Sequence, residues 1–218
     1  MNLAPSVPTF RARKAVLGLS IAALAMLIPQ YILSTIPAHT GTGIAVRHLD
    51  LLYTVLFALA PLVLLILYSA SFSSRPAGRF LLFSAFALYS LEGLYDILTY
   101  LLRLSLRLSD MGINLLFPLL LIVLFGVMTV FVAMNKKPPV TLPILLTVAV
   151  ALSSCFSIFS VVNMFRYFSD IPLFLVADVL GMIFMVLSQV AVLLCAFGYP
   201  IVSPEPAEPV QEEQAIVL

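Results

Sequence analysis

The sequence predicts an all-α membrane protein, a polytopic bundle of six transmembrane helices with both termini on the same side. Hydrophobic residues make up 62% of the 218-residue chain and charged residues only 10%, against about 25% in soluble domains. Several apolar runs reach the roughly 20 residues that a helix needs to cross about 30 Å of hydrocarbon. Too few residues remain for a soluble domain, so the lipid bilayer is the first predicted partner.

Pro, Gly and charged residues cluster between the apolar runs and divide the chain into six spans. The predicted spans cover residues 15–33, 51–70, 80–102, 113–134, 140–162 and 171–197. Pro61 stands near the middle of the second span, where it should remove one backbone hydrogen bond and bend the helix. The predicted domains are an N-terminal tail of residues 1–14 and a membrane domain of residues 15–198.

The last stretch of the chain, residues 199–218, is rich in Pro and Glu and contains no Lys or Arg. Such a segment cannot bury an apolar core, so we expect a disordered or extended tail. The alternative is a peptide that docks a cytosolic partner subunit.

The distribution of basic residues predicts the orientation in the cell membrane, because cytoplasmic loops carry the excess of Lys and Arg. The N-terminal tail, second loop and fourth loop hold the larger group, namely Arg11, Arg13, Lys14, Arg75, Arg79, Lys136 and Lys137. The other three loops hold only Arg47, Arg103, Arg107 and Arg166. Both termini are therefore predicted to be cytoplasmic.

The third span carries a polar stripe that an apolar helix does not need. On a helix, Tyr89, Glu92, Asp96, Tyr100 and Arg103 fall within a sector of about 80°. An ionised carboxylate facing lipid at mid-membrane costs roughly 2.5–3.5 kcal/mol. The two acids must therefore face protein or water, and we expect the pair to hold a proton at neutral pH.

Other spans place polar side chains at similar depths in the predicted outer half. Together they suggest an outward-biased polar cavity whose candidate solute, ion or proton site comprises Tyr89, Glu92, Asp96, Tyr100, Gln30, Ser157, Ser160 and Asp178. Arg103 and Arg107 form a candidate lip at the membrane interface, where Arg side chains reach headgroups. The alternative is a buried polar seam in which Tyr and Ser hydroxyls satisfy the acids and only fix helix packing.

Several function classes find no support in the sequence. The two histidines, His39 and His48, lie in or beside the first loop, and no zinc-protease motif, nucleophile elbow or phosphate-binding Gly-rich loop is present. We therefore expect no enzyme, cofactor or metal site, and the net charge of +1 gives no basic surface for nucleic acid. Cys155 and Cys195 lie in apolar runs, and we expect both to be small buried residues.

The predicted function is a small transporter, or a solute-binding membrane subunit, that handles a cation, proton or small solute through the polar cavity. Any ATP-driven version would need separate partner subunits, because the sequence shows no ATP-binding segment. Chain size, span number and the basic start of the first span resemble the vitamin-binding subunits of energy-coupling-factor transporters, at the level of the fold alone. The alternative function is a non-enzymatic membrane scaffold, assembly factor or sensor.

Overall fold

A computed structural model describes residues 12–35, 52–72, 76–103, 111–167 and 172–199, and these residues form six helices. The prediction of an all-α chain is confirmed. The helices are α1 (Arg13–Thr35), α2 (residues 52–72), α3 (Pro76–Arg103), α4 (Met111–Ala133), α5 (Thr141–Tyr167) and α6 (Pro172–Gly198).

Five of these helices are long and apolar enough to cross a membrane. The qualifying segments are Arg13–Leu33, Pro76–Leu98, Leu115–Ala133, Thr141–Phe159 and Val176–Gly198. The chain is therefore a multi-pass integral membrane protein. The apolar part of α2, Thr54–Ala70, is shorter, so its role as a sixth span remains a prediction.

The helices form a ring in chain order. Each helix packs against the next, and α1 closes the ring by packing along α6. The α1–α6 and α3–α4 contacts are the most extensive. We call the half of the bundle that contains the start of α1 and the end of α6 the proximal half, and the other the distal half.

The proximal half is filled by a continuous apolar core. Val16 near the start of α1 and Ala196 near the end of α6 belong to the same cluster of buried side chains. The bulkiest side chains that are almost fully buried there are Tyr68, Phe86, Leu65, Leu82, Met128 and Leu146. Because lipid is as apolar as these side chains, burying them gains little from the exclusion of water. They stabilise the contacts between helices through close packing. This half therefore holds the ring together.

Helix α2 is irregular on both sides of a short α-helical centre. Residues Thr54–Leu59 and Tyr68–Phe72 are π-helical, and Ala60–Leu67 between them is α-helical. Pro61 lies at the junction of the first two segments and lacks the N–H that would bond to the carbonyl of Phe57. Its ring also crowds that carbonyl, which explains why the preceding turn widens.

Arg13 fixes the π-helical end of α2 to the start of α1. Its Nε donates a hydrogen bond to the backbone oxygen of Ser69, and its Nη2 donates one to the backbone oxygen of Ala70. Carbonyls at a helix end lack partners within the helix, and a guanidinium supplies two donors in a fixed geometry. One residue of the predicted basic cluster therefore has a structural role.

A tight turn closes the proximal end between α4 and α5. Asn135 has a φ of 53°, and its N–H bonds to the Val132 oxygen while the Lys136 N–H bonds to the Phe131 oxygen, each at 3.0 Å. This pair of bonds is the Schellman motif, in which Asn tolerates the left-handed conformation.

Tyr199 ties the end of α6 to that turn. Its hydroxyl donates to the Lys136 carbonyl at 2.5 Å, and burial raises the pKa of Tyr199 to about 12. The sequence analysis placed this residue in the tail, but its ring is buried against the proximal core. Residues 200–218 lie outside the described residues.

Candidate functional site

A cavity of about 260 Å³ opens between α2, α3, α4, α5 and α6, from the middle of the bundle into the distal half. It is larger than the cavity of about 150 Å³ that holds benzene in an engineered protein core. The proximal core closes the inner end of the cavity, because Phe125, Val150 and Val192 belong both to that core and to the cavity wall. The cavity is therefore large enough for a small organic molecule.

Two carboxylates line one wall of the cavity. Glu92 and Asp96 stand one turn apart on α3, with Asp96 about 6 Å nearer the distal end. Glu92 is half-buried and accepts a hydrogen bond from the Tyr53 hydroxyl of α2, with 3.0 Å between the two oxygens. Asp96 is exposed. The acids thus form a path from the distal mouth to a deeper position beside Tyr53.

Aromatic rings surround the acids on two sides. Tyr53, Phe57 and Tyr95 form a group whose ring centroids are 4.9 to 5.6 Å apart. On the other side, Tyr89 stacks on Phe125 with the centroids 5.3 Å apart. All of these rings except that of Tyr95 line the cavity. Their faces carry negative electrostatic potential, which attracts cations.

Helices α5 and α6 supply a polar wall opposite the acids. Ser153 and Ser157 of α5, and Ser188 and Gln189 of α6, line the cavity. Ser157 donates its proton to the Ser153 carbonyl at 3.1 Å, and Ser188 donates to the Met185 carbonyl at 2.9 Å. Each hydroxyl has only one proton, so both present an oxygen that can only accept from a ligand.

The backbones of α3 and α4 meet closely beside the acids. A Cβ built on Gly93 would lie 2.8 Å from Ile122 Cγ1 and 3.1 Å from the Pro118 carbonyl oxygen. Ser90, on the same side of α3, donates a hydrogen bond to the Ile122 carbonyl at 3.0 Å. The absence of a side chain at Gly93 allows this approach and fixes Glu92 next to the α4 wall.

The structure brings together four of the predicted site residues and separates two others. Tyr89, Glu92, Asp96 and Ser157 line one cavity. Gln30 lies instead at the contact between α1 and α6, where its Cγ is 3.5 Å from the position of a Cβ on Gly181. It is half-buried and does not line the cavity.

Asp178 is also half-buried and absent from the cavity wall. It shares a helical face with Met185 and Gln189, which do line the cavity, but lies about 10 Å closer to the distal end of α6. Sequence periodicity therefore placed Asp178 on the helical face that borders the cavity. It could not show how far along α6 the cavity extends, because that depends on the packing of five helices.

The remaining predicted residues lie outside what the structure describes. Tyr100, Arg103 and Ser160 belong to described helices, but their side chains fall outside the described part. Arg107 lies outside the described residues altogether, so the predicted lip stays a prediction. Of the cysteines, Cys195 is buried as expected, but the prediction for Cys155 is wrong because it lies on an exposed face of α5.

Tyr53 is the main site residue that sequence reasoning missed. It follows Leu51 and Leu52 at the start of an apolar run and was counted as part of that run. The available signal was its hydroxyl, since a Tyr at the distal end of α2 lies at a depth where it can reach an acid of the antiparallel α3.

The chemistry of the cavity favours a cationic ligand. No Lys, Arg or His stands among the described residues that line it, so an anion would face two acids without a counter-charge. Nor does the described part of the chain contain a group of three or more His, Cys, Asp or Glu arranged to hold a metal ion. Comparison with protein-family models, with curated proteins and with solved structures finds no match for this chain.

Proposed function

We propose that this membrane protein binds a small cation in the distal cavity and acts as a transporter or as the solute-binding subunit of one. The observation that carries the proposal is the cavity of about 260 Å³ lined by Glu92 and Asp96 within the membrane-spanning bundle. Intramembrane acids are costly unless a cation, a proton or water compensates them. A buried polar seam would also contain the acids, but it would not need the space between the helices.

In this proposal, Asp96 attracts the cation at the distal mouth and Glu92 holds it deeper in the cavity. Tyr53 orients Glu92 through its hydrogen bond. The π-helical segment Thr54–Leu59 begins next to Tyr53, and π-helical turns frequently occur at functional sites. In this proposal it is the segment that rearranges when the cation binds. With both termini in the cytoplasm, as the positive charges predict, the cavity would open to the outside.

Charge movement across proteoliposomes tests the proposal. The full chain is reconstituted, and currents on a solid-supported membrane are recorded after concentration jumps of Na⁺, of protons and of small amines. We expect a transient current for at least one of these cations and its loss in the double variant Glu92→Gln/Asp96→Asn. Absence of current for every cation, or equal currents in the double variant, would refute cation handling at this site.

Deletion of residues 204–218 distinguishes transport from the scaffold alternative. If a tail docks a partner, its deletion removes the cellular function while the substitutions at Glu92 and Asp96 are harmless. The transport proposal predicts the opposite pattern, because binding and charge movement depend on the cavity. Asp178→Asn is the matched control, since it makes the same chemical change about 9 Å along α6 from Phe184, the nearest cavity-lining residue of that helix.

A further inference from the structure

The hydrogen-bonding state of the cavity wall identifies the chemical class of the ligand. We propose that the cavity selects a small primary or secondary ammonium ion whose apolar body is about the size of one aromatic ring. This inference rests on the proposed function and narrows it from any cation to one class. Four observations support it: the balance of acceptors and donors, the charge, the aromatic walls and the volume.

Three hydroxyl groups that line the cavity have already donated their protons. Tyr53 donates to Glu92, Ser157 to the Ser153 carbonyl, and Ser188 to the Met185 carbonyl. These hydroxyls can therefore offer a ligand only acceptor oxygens.

Gln189 is held by the neighbouring helix. Its Oε1 accepts a hydrogen bond from the Ser154 hydroxyl, with 2.5 Å between the two oxygens, and Ser154 Oγ also lies 2.8 Å from the Val150 carbonyl oxygen. The acceptors that remain for a ligand are the carboxyl groups of Glu92 and Asp96 and the three hydroxyl oxygens. A wall rich in acceptors is complementary to a ligand rich in N–H donors.

The charge of the acids matches a single monovalent cation. Glu92 and Asp96 stand one helical turn apart, and we expect the pair to hold one proton at neutral pH, which leaves one net negative charge. Burying a charge without a partner is costly, so the ligand must supply one positive charge. A charge-assisted N–H to carboxylate bond is about twice as strong as a neutral one, which favours an ammonium over a neutral hydrogen-bond donor.

The rest of the wall favours an organic body over a bare inorganic ion. Phe57, Phe125, Phe184 and Met185 line the cavity together with the Tyr rings, and these groups cannot replace the oxygen shell of about six ligands that hard divalent metal ions require. An ammonium is instead attracted to a ring face within about 6 Å. With about 260 Å³ available, a single-ring amine fits with space for its headgroup.

Titration of the full chain in lipid nanodiscs with five probes tests the inference. The probes are benzylamine, benzyl alcohol, benzyltrimethylammonium, benzoate and Na⁺. The first four share one aromatic ring and differ in charge or in hydrogen-bond donors, whereas Na⁺ shares only the positive charge of benzylamine. We expect benzylamine to bind at least tenfold more tightly than benzyl alcohol, which lacks the charge. It should also bind at least tenfold more tightly than benzyltrimethylammonium, which lacks N–H donors, and benzoate should not bind.

Variants then assign the binding to the cavity. Glu92→Gln should weaken benzylamine binding at least tenfold, whereas Asp178→Asn should change it less than threefold. Asp96→Asn is the second variant, because Asp96 is exposed and Asn keeps the shape of its side chain. We expect Asp96→Asn to weaken benzylamine binding about fivefold. This second variant tests the site even if Glu92→Gln fails to fold.

The outcomes separate this inference from the function on which it rests. Equal binding of benzylamine and benzyl alcohol would overturn the inference. Binding of Na⁺ alone, lost in Glu92→Gln, would also overturn it but would leave cation handling intact. Absence of binding by all five probes together with absence of charge movement would refute both.

Discussion

In the proximal half of the bundle, Tyr68, Phe86 and Met128 fill the space between the helices and are at most 2% exposed. In the distal half, the same helices separate around a cavity lined by Glu92 and Asp96. The difference separates the half that stabilises the bundle from the half that contains the proposed binding site. Close packing is the main attraction between helices in lipid, so a well-packed proximal half allows the distal half to carry groups that weaken packing.

The largest expected difference between the halves comes from removing one phenyl ring from each. Phe86 is fully buried in the core, whereas Phe57 already borders the cavity. We expect Phe86→Ala to lower the free energy of unfolding by about 3 kcal/mol and Phe57→Ala to lower it by about 1 kcal/mol. Equilibrium unfolding with SDS in mixed micelles measures both. Equal losses would contradict a division of roles between the halves.

A second test addresses the contact that positions Glu92. Gly93→Ala puts a methyl group against Ile122 and the Pro118 carbonyl, and overpacking of this kind costs about 1–3 kcal/mol. Gly126→Ala is the matched control on α4, because its Cβ would meet only Ser90 Oγ at 3.6 Å. Thermal unfolding of both variants checks this. Similar stability of the two variants would show that α3 and α4 can separate at no cost.

The smallest expected effect concerns the clamp at the proximal end. Arg13→Gln removes the charged donors to the Ser69 and Ala70 carbonyls, and we expect a loss of about 1.5 kcal/mol. Lys14→Gln is the neighbouring control, because Lys14 is exposed. The unfolding free energies of the two variants are compared at equal expression. A larger loss of unfolding free energy for Lys14→Gln than for Arg13→Gln would show that Arg13 is not the stabilising charge at this end of the bundle.

Much of the distal site follows from helical periodicity. Glu92, Asp96 and Tyr89 share a face of one apolar helix, so a sequence without structure already places them together. Ionised acids are costly in lipid, so these residues must face a cavity or a seam. The helices that complete the wall depend on the order of helices around the ring, which periodicity within one helix does not give.

The ring closure explains the residues that sequence reasoning misplaced. Gln30 has a suitable depth, but α1 packs along α6 on the outside of the cavity. Tyr53 reaches Glu92 because α2 and α3 are neighbours and antiparallel. The π-turns around Pro61 could not be read from the sequence either, since proline predicts a bend but not how the backbone absorbs it.

Thiol labelling tests the contrast between the halves most directly. In a Cys155→Ser background, the variant Ser157→Cys places a thiol in the cavity, while the native Cys195 reports on the proximal core. Reaction of both thiols with a cationic, membrane-impermeant methanethiosulfonate is followed over time. The account predicts that the cavity thiol reacts at least tenfold faster than Cys195 and that benzylamine slows it. Equally slow reaction of both thiols would show that water and cations do not reach the acids, and would contradict the account.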